Sequence, residues 1–127
     1  MLVYPVLDVA MDTPSYTENA KGLGLDAADM AWFVEQYAAG ADPADPRLSP
    51  LRLPDVAGLA PATVVTAEYD VLRDEGESYA ARLAEAGVPV GLRRYDGMVH
   101  GFFVLPGLFD QAVEAGDYVA ERLRASF

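Results

Sequence analysis

The chain has 127 residues, 52% of them hydrophobic, no cysteine, and a formal net charge of −11. That length suits one domain, and the apolar content argues against disorder. The acidic balance disfavours a nucleic-acid partner, which needs clustered Lys and Arg, and the missing cysteines exclude disulfides, thiolate zinc sites and cysteine nucleophiles.

The first segment, Leu2 to Leu7, is apolar with β-branched and aromatic residues, and it predicts a strand limited by Pro5. A chain that opens on a buried type of strand leads us to expect a partner strand upstream of residue 1. The N-terminus has no basic leader region, and no apolar run approaches membrane-spanning length. A cytoplasmic location without a membrane partner is therefore expected. Asp8 to Leu25, with Thr-Pro, Ser, Asn and two glycines, reads as a loop.

Asp26 is suited to cap a helix reaching Ala39, with Met30, Phe33, Val34 and Tyr37 at helical spacing and Gly40 as its stop. Asp42 to Pro61 is rich in proline and polar residues and reads as an extended surface crossing with one short turn. Ala62 to Ala67, containing Thr-Val-Val-Thr, is the clearest strand. Asp74 and Glu77 then offer a capping box. Asp74, Glu75 and Glu77 together suit a helix terminus, where the dipole favours acids. That helix runs to about Ala86, with Tyr79, Leu83 and Ala86 on one face and Gly87 as its stop. Val90 to Tyr95 predicts a third strand, more polar and so expected near a sheet edge. Phe109 to Ala125 predicts a last helix, with Ala112, Ala115, Val119 and Leu123 in register. Helical crossovers between successive strands imply a parallel, right-handed α/β sheet.

In such sheets ligands bind at the carboxyl ends of the strands. Asp70 falls just beyond the second strand and His100 in the loop after the third. Adjacent parallel strands can bring the two side chains together although they lie far apart in sequence. An imidazole accepts a hydroxyl proton and later returns it to a leaving group, and a carboxylate behind it sets the tautomer and steadies the imidazolium. Gly97 and Gly101 flank the histidine loop and allow tight turns. The bland alternatives are a surface histidine and a turn-capping aspartate; Asp74 is the better cap, which leaves Asp70 free. Asp8 ranks second as the acid, and Asp96 is a further competitor.

Met98, Phe102 and Phe103, with Leu105 and the Met11–Tyr16 loop, are candidate lining for an acyl or alcohol pocket. Ordinary core is the competing reading for Phe102, Phe103 and Leu105. No serine sits in a Gly-x-Ser-x-Gly elbow: Ser15 and Ser49 lie beside prolines, Ser126 is terminal, and Ser78 is a half-match with no strand before it. One histidine among scattered acids gives no metal-ligand spacing, and no glycine-rich phosphate loop follows a strand, so no metal and no cofactor is expected.

Glu68-Tyr-Asp70-Val-Leu-Arg-Asp-Glu-Gly76 resembles the acid motif of the hormone-sensitive-lipase-like α/β-hydrolases, with Val71 where a proline is usual. Met98-Val-His100-Gly-Phe102, the opening Leu-Val-Tyr-Pro-Val-Leu-Asp and Asp45-Pro-Arg-Leu-Ser-Pro50 are similar to the same family. The resemblance spans essentially the whole chain, at the C-terminal portion of the family domain. It implies that Asp70 and His100 are the acid and base of a triad that hydrolyses carboxylic esters. The family's His-Gly-Gly loop and its Gly-Asp-Ser-Ala-Gly nucleophile motif do not occur here. Residues 1–127 are thus expected to be the C-terminal part of an α/β-hydrolase domain, inactive alone, serving a small-molecule ester substrate only in a full-length form. The alternatives are a non-catalytic ligand-binding module on this scaffold, or a homodimer formed through the Val90–Tyr95 strand and the last helix.

Overall fold

The computed structural model describes residues 1–127. Strands β1 (Leu2–Val3), β2 (Ala62–Tyr69) and β3 (Val90–Val99) form one sheet in that order, with both pairings parallel. Helices α1 (Ser15–Glu18) and α2 (Ala27–Ala38) lie between β1 and β2. Helix α3 (Arg73–Glu85) joins β2 to β3, and α4 (Asp110–Arg124) follows. Short 3-10 turns occupy Pro50–Arg52 and Phe102–Val104. The fold is α/β with helical crossovers, as the order of elements implies.

The centre of the sheet is β2, buried on both faces from Thr63 to Ala67, which is why its apolar run is nearly continuous. Alternation along the strand sends Val65 and Ala67 to one face. There they join Tyr95, Met98 and Phe102 with Ala112 and Ala115 of α4. Val64 and Thr66 face α3 at Gly76, where an added Cβ would stand 3.0 Å from Thr66 Cγ2. Alanine there recovers about 1 kcal/mol of helix propensity, so valine is the sharper probe of this packing. Gly76→Val is expected to cost about 1–3 kcal/mol through overpacking. Urea unfolding checks this as a lower midpoint at unchanged slope.

Several boundaries differ from expectation. β1 stops at Val3 rather than continuing to Leu7. Tyr4 adopts a left-handed φ of 36°, and Pro5 follows. The Tyr4 N–H still reaches the Val65 carbonyl at 2.7 Å, and there the chain leaves the ladder. The Asp8–Leu25 loop contains the single turn α1, which buries Ser15 and Tyr16. Asp26 does open α2: its N–H donates to Asp29 Oδ2 at 3.1 Å.

The start of α3 corrects the expected Asp74–Glu77 box. The helix begins at Arg73, and the Leu72 N–H donates to Asp70 Oδ1 at 2.9 Å. Asp74 instead accepts from the Ser15 N–H at 2.8 Å, and Glu77 accepts from the Thr66 hydroxyl at 3.2 Å. Glu75 is wholly buried rather than placed at a solvated terminus. β3 is an edge strand, as its polarity suggested, and it runs on past Tyr95 to Val99. No helix is long and apolar enough to cross a membrane.

Candidate active site

The two side chains of greatest interest meet at the carboxyl edge of the sheet. Asp70 is the first residue after β2, and His100 is the first after β3. An irregularity in the β2–β3 ladder brings them level: Ala67 pairs with Tyr95, and the next pair is Tyr69 with Val99. The extra residues bulge out at Gly97, which has φ 79° and donates its N–H to Glu68 Oε2 at 2.7 Å. Bulges of this kind re-aim side chains beside functional sites. His100 Nδ1 lies 2.8 Å from Asp70 Oδ2. A carboxylate only accepts, so Nδ1 carries the hydrogen and Nε2 is the basic nitrogen.

Burial makes this pair directional. The Asp70 side chain has no exposed surface, whereas that of His100 keeps 25%. The acid therefore serves the ring and the adjacent turn, and the ring alone meets solvent. Asp70 is held from three sides. Oδ1 accepts the Leu72 N–H, Oδ2 takes the imidazole, and its backbone carbonyl accepts Asn19 Nδ2 at 3.1 Å. Ser15 Oγ donates to the neighbouring Val71 carbonyl at 2.6 Å. Sequence reasoning missed Asn19 and Ser15, because single polar residues in an irregular loop carry no periodic signal. It also missed Tyr4, whose ring centroid lies 4.3 Å from that of His100.

The competing acids are engaged elsewhere. Asp8 is clamped by Arg52 Nε at 2.9 Å to each carboxylate oxygen. Burial pushes its carboxyl up, but the Arg52 hydrogen bond, the Ala10 N–H and the guanidinium charge together hold it below the usual range. Asp96 pairs with Arg94 at 2.8 Å on the surface. Neither touches His100.

The expected lining residues fall differently. Phe102 has no exposed surface and Met98 is 7% exposed, both within the core shared with α4, where ordinary packing accounts for them. Phe103 packs against that core and stays partly exposed. An apolar groove of about 660 Å³ is lined by Val6, Val9, Met30, Phe33, Leu48 and Pro50 among others, and neither Asp70 nor His100 borders it. The serines are occupied or distant. Ser15 and Ser49 are buried and donate to the Val71 and Pro43 carbonyls, Ser126 bonds the Arg122 carbonyl, and Ser78 lies on the outside of α3.

The parallel sheet with helical crossovers thus carries a buried acid and a solvent-facing imidazole at neighbouring strand ends. The chain belongs to the α/β-hydrolase fold family, whose model matches residues 1–104. It is 42% identical to the carboxylic ester hydrolase LipN of Mycobacterium tuberculosis, over 98% of this chain and 34% of that protein. It is 38% identical to an ethyl acetate hydrolase of Pseudomonas putida, over 98% of this chain and 39% of that one. The solved structure of an ester hydrolase from the metagenome of Lake Arreo, complexed with a bipyridine phosphonate derivative, superposes with a TM-score of 0.90. That structure shares 41% identity, over 98% of this chain and 40% of the other. The chain thus spans between a third and two fifths of the length of these relatives.

Proposed function

We propose that this chain is the C-terminal part of the catalytic domain of a serine carboxylic-ester hydrolase of the hormone-sensitive-lipase-like group. It contributes the acid Asp70 and the base His100, and another stretch of polypeptide supplies the nucleophile and the oxyanion hole. The observation that carries this reading is the 2.8 Å hydrogen bond from His100 Nδ1 to the buried Asp70 carboxylate. In the complete site, the serine oxygen attacks the ester carbonyl while His100 Nε2 takes its proton. The same proton then passes to the departing alcohol, and water releases the acid from the acyl-enzyme.

Residues 1–127 alone are expected to be silent toward p-nitrophenyl butyrate. A triad variant keeps a residual acceleration of about 10³–10⁴ from its oxyanion hole and binding site, and this sequence has neither the His-Gly-Gly loop nor the serine elbow. Mixing the chain with the separately produced N-terminal portion of a related ester hydrolase is expected to restore turnover, which His100→Ala removes. Turnover by the chain alone that His100→Ala abolishes would overturn the reading.

A second reading, self-association, rests on β3 being an edge strand, with Leu92 exposed there and Val113 and Leu123 exposed on α4. Light scattering tests it, and a monomeric mass would dismiss it.

A further inference from the structure

We propose that Tyr4 is a positioning residue for His100: its ring is held against the imidazole by a strained backbone and keeps the ring in line with Asp70. This rests on the reading of His100 as the base of the relay.

The starting observation is conformational. Tyr4 has φ 36°, a left-handed value that is a genuine outlier for a bulky side chain. A residue before proline also favours extended backbone, so Tyr4-Pro5 opposes local preference twice. Such conformations persist only where the surroundings over-determine them, and they gather at functional sites. The surroundings here are specific. The Tyr4 N–H is pinned to the Val65 carbonyl at 2.7 Å. Pro5 packs near Gly76 of α3, its Cδ 3.8 Å from where a Cβ would stand. The turn directs the aromatic ring over the carboxyl edge of the sheet, where it packs against His100 with the two planes tilted by 53° and meets Phe102 edge-on, centroids 6.2 Å apart.

The consequence is steric. A hydrogen bond to Nδ1 alone fixes one point of an imidazole and leaves rotation about its side-chain bonds. A second surface 4.3 Å away restricts that rotation. Burial and the nearby Asp70 charge both raise the Tyr4 phenol above its ordinary value, so it adds no second charge beside the pair. An extended β1, as the apolar run implies, would carry Tyr4 onward along the ladder instead of turning it at this point.

The protein has one histidine, so ring signals and imidazole modification report His100 alone. Proton NMR of the 127-residue chain is expected to show a low-field, slowly exchanging Nδ1–H resonance. Tyr4→Phe keeps it, since the ring is retained. Tyr4→Gly, which relieves the backbone and removes the ring, loses the resonance to exchange while the amide spectrum stays folded. Carbethoxylation of the imidazole by diethyl pyrocarbonate is expected to quicken several-fold in Tyr4→Gly and not in Tyr4→Phe. A resonance unchanged in Tyr4→Gly would overturn the proposal and leave the relay reading intact. Absence of the resonance from the parent would overturn both. Tyr4→Asn, which also tolerates positive φ, repeats the comparison if Tyr4→Gly unfolds. Unfolding of both would make Tyr4 a structural residue and end the proposal.

Discussion

Asp70→Asn is expected to lower kcat of an esterase reconstituted around this chain by about 10⁴-fold, equivalent to about 5–6 kcal/mol of transition-state stabilisation. The substitution is nearly isosteric, and the amide oxygen can still accept the Leu72 N–H that the carboxylate holds at 2.9 Å. The turn into α3 is therefore retained. What changes is the partner of His100. An amide nitrogen facing Nδ1 donates, so Nδ1 becomes the acceptor and the hydrogen moves to Nε2. The nitrogen required to take the serine proton is then already protonated. Nitrogen chemical shifts of the single imidazole show the change of tautomer in the isolated chain, independently of activity. Asp8→Asn is the control: Asp8 is bound by Arg52, so the tautomer of His100 should not move. A reconstituted Asp70→Asn enzyme of near-parental kcat, or an unchanged tautomer, would remove Asp70 from the relay.

The second large effect is on stability and comes from Glu75. This side chain is wholly buried, accepts the Leu7 N–H through Oε1 at 2.7 Å, and has no hydrogen-bond partner for Oε2. Burial pushes its carboxyl from an ordinary 4.5 up to about 8, and the charges of Asp8 and Asp70 push the same way against the Leu7 and Asp8 N–H groups. The folded state therefore binds this proton more tightly than the unfolded chain does. Its contribution to stability is fully present below about pH 4.5, declines as pH rises, and is gone once pH passes about 8. The decline amounts to up to about 5 kcal/mol. Glu75→Gln keeps an acceptor for Leu7 and removes the titration. Urea unfolding at pH 5, 7 and 9 should show the parent weakening across the series, with the variant much flatter and the more stable of the two at pH 9. Parallel curves for the two proteins would refute this account of Glu75.

Glu75 also shows where sequence reasoning stops. Three acids at the start of a helix suggest a solvated, dipole-favoured terminus, and nothing local separates them. Their fates diverge because the loop after β1 descends on α3. Leu7 meets Glu75, Ser15 meets Asp74, and Thr66 of β2 meets Glu77. These partners lie 68, 59 and 11 residues away, and no periodicity encodes contacts at such separations. Phe102 is similar. It belongs to the Met-Val-His-Gly-Phe segment that suggested a pocket, yet α4 closes over that segment with Ala112 and Ala115 and makes it core.

The amino-acid order by itself determined the architecture and ranked Asp70 and His100 as the candidate pair. Short β-branched or apolar runs and turn residues marked β2 and β3, helical spacing marked the crossovers, and parallel topology required Asp70 and His100 to emerge at one edge. Local preferences suffice for this, because strand and helix patterns repeat over short windows and strand ends follow from them. Tertiary structure decided that Asp70, and not the arginine-bound Asp8 or Asp96, faced the imidazole, where β1 broke, and how the ring was held. Each of those outcomes depends on surfaces brought together only after the chain has closed on itself. There, the removal of water and the proximity of distant groups outweigh what any short segment prefers alone.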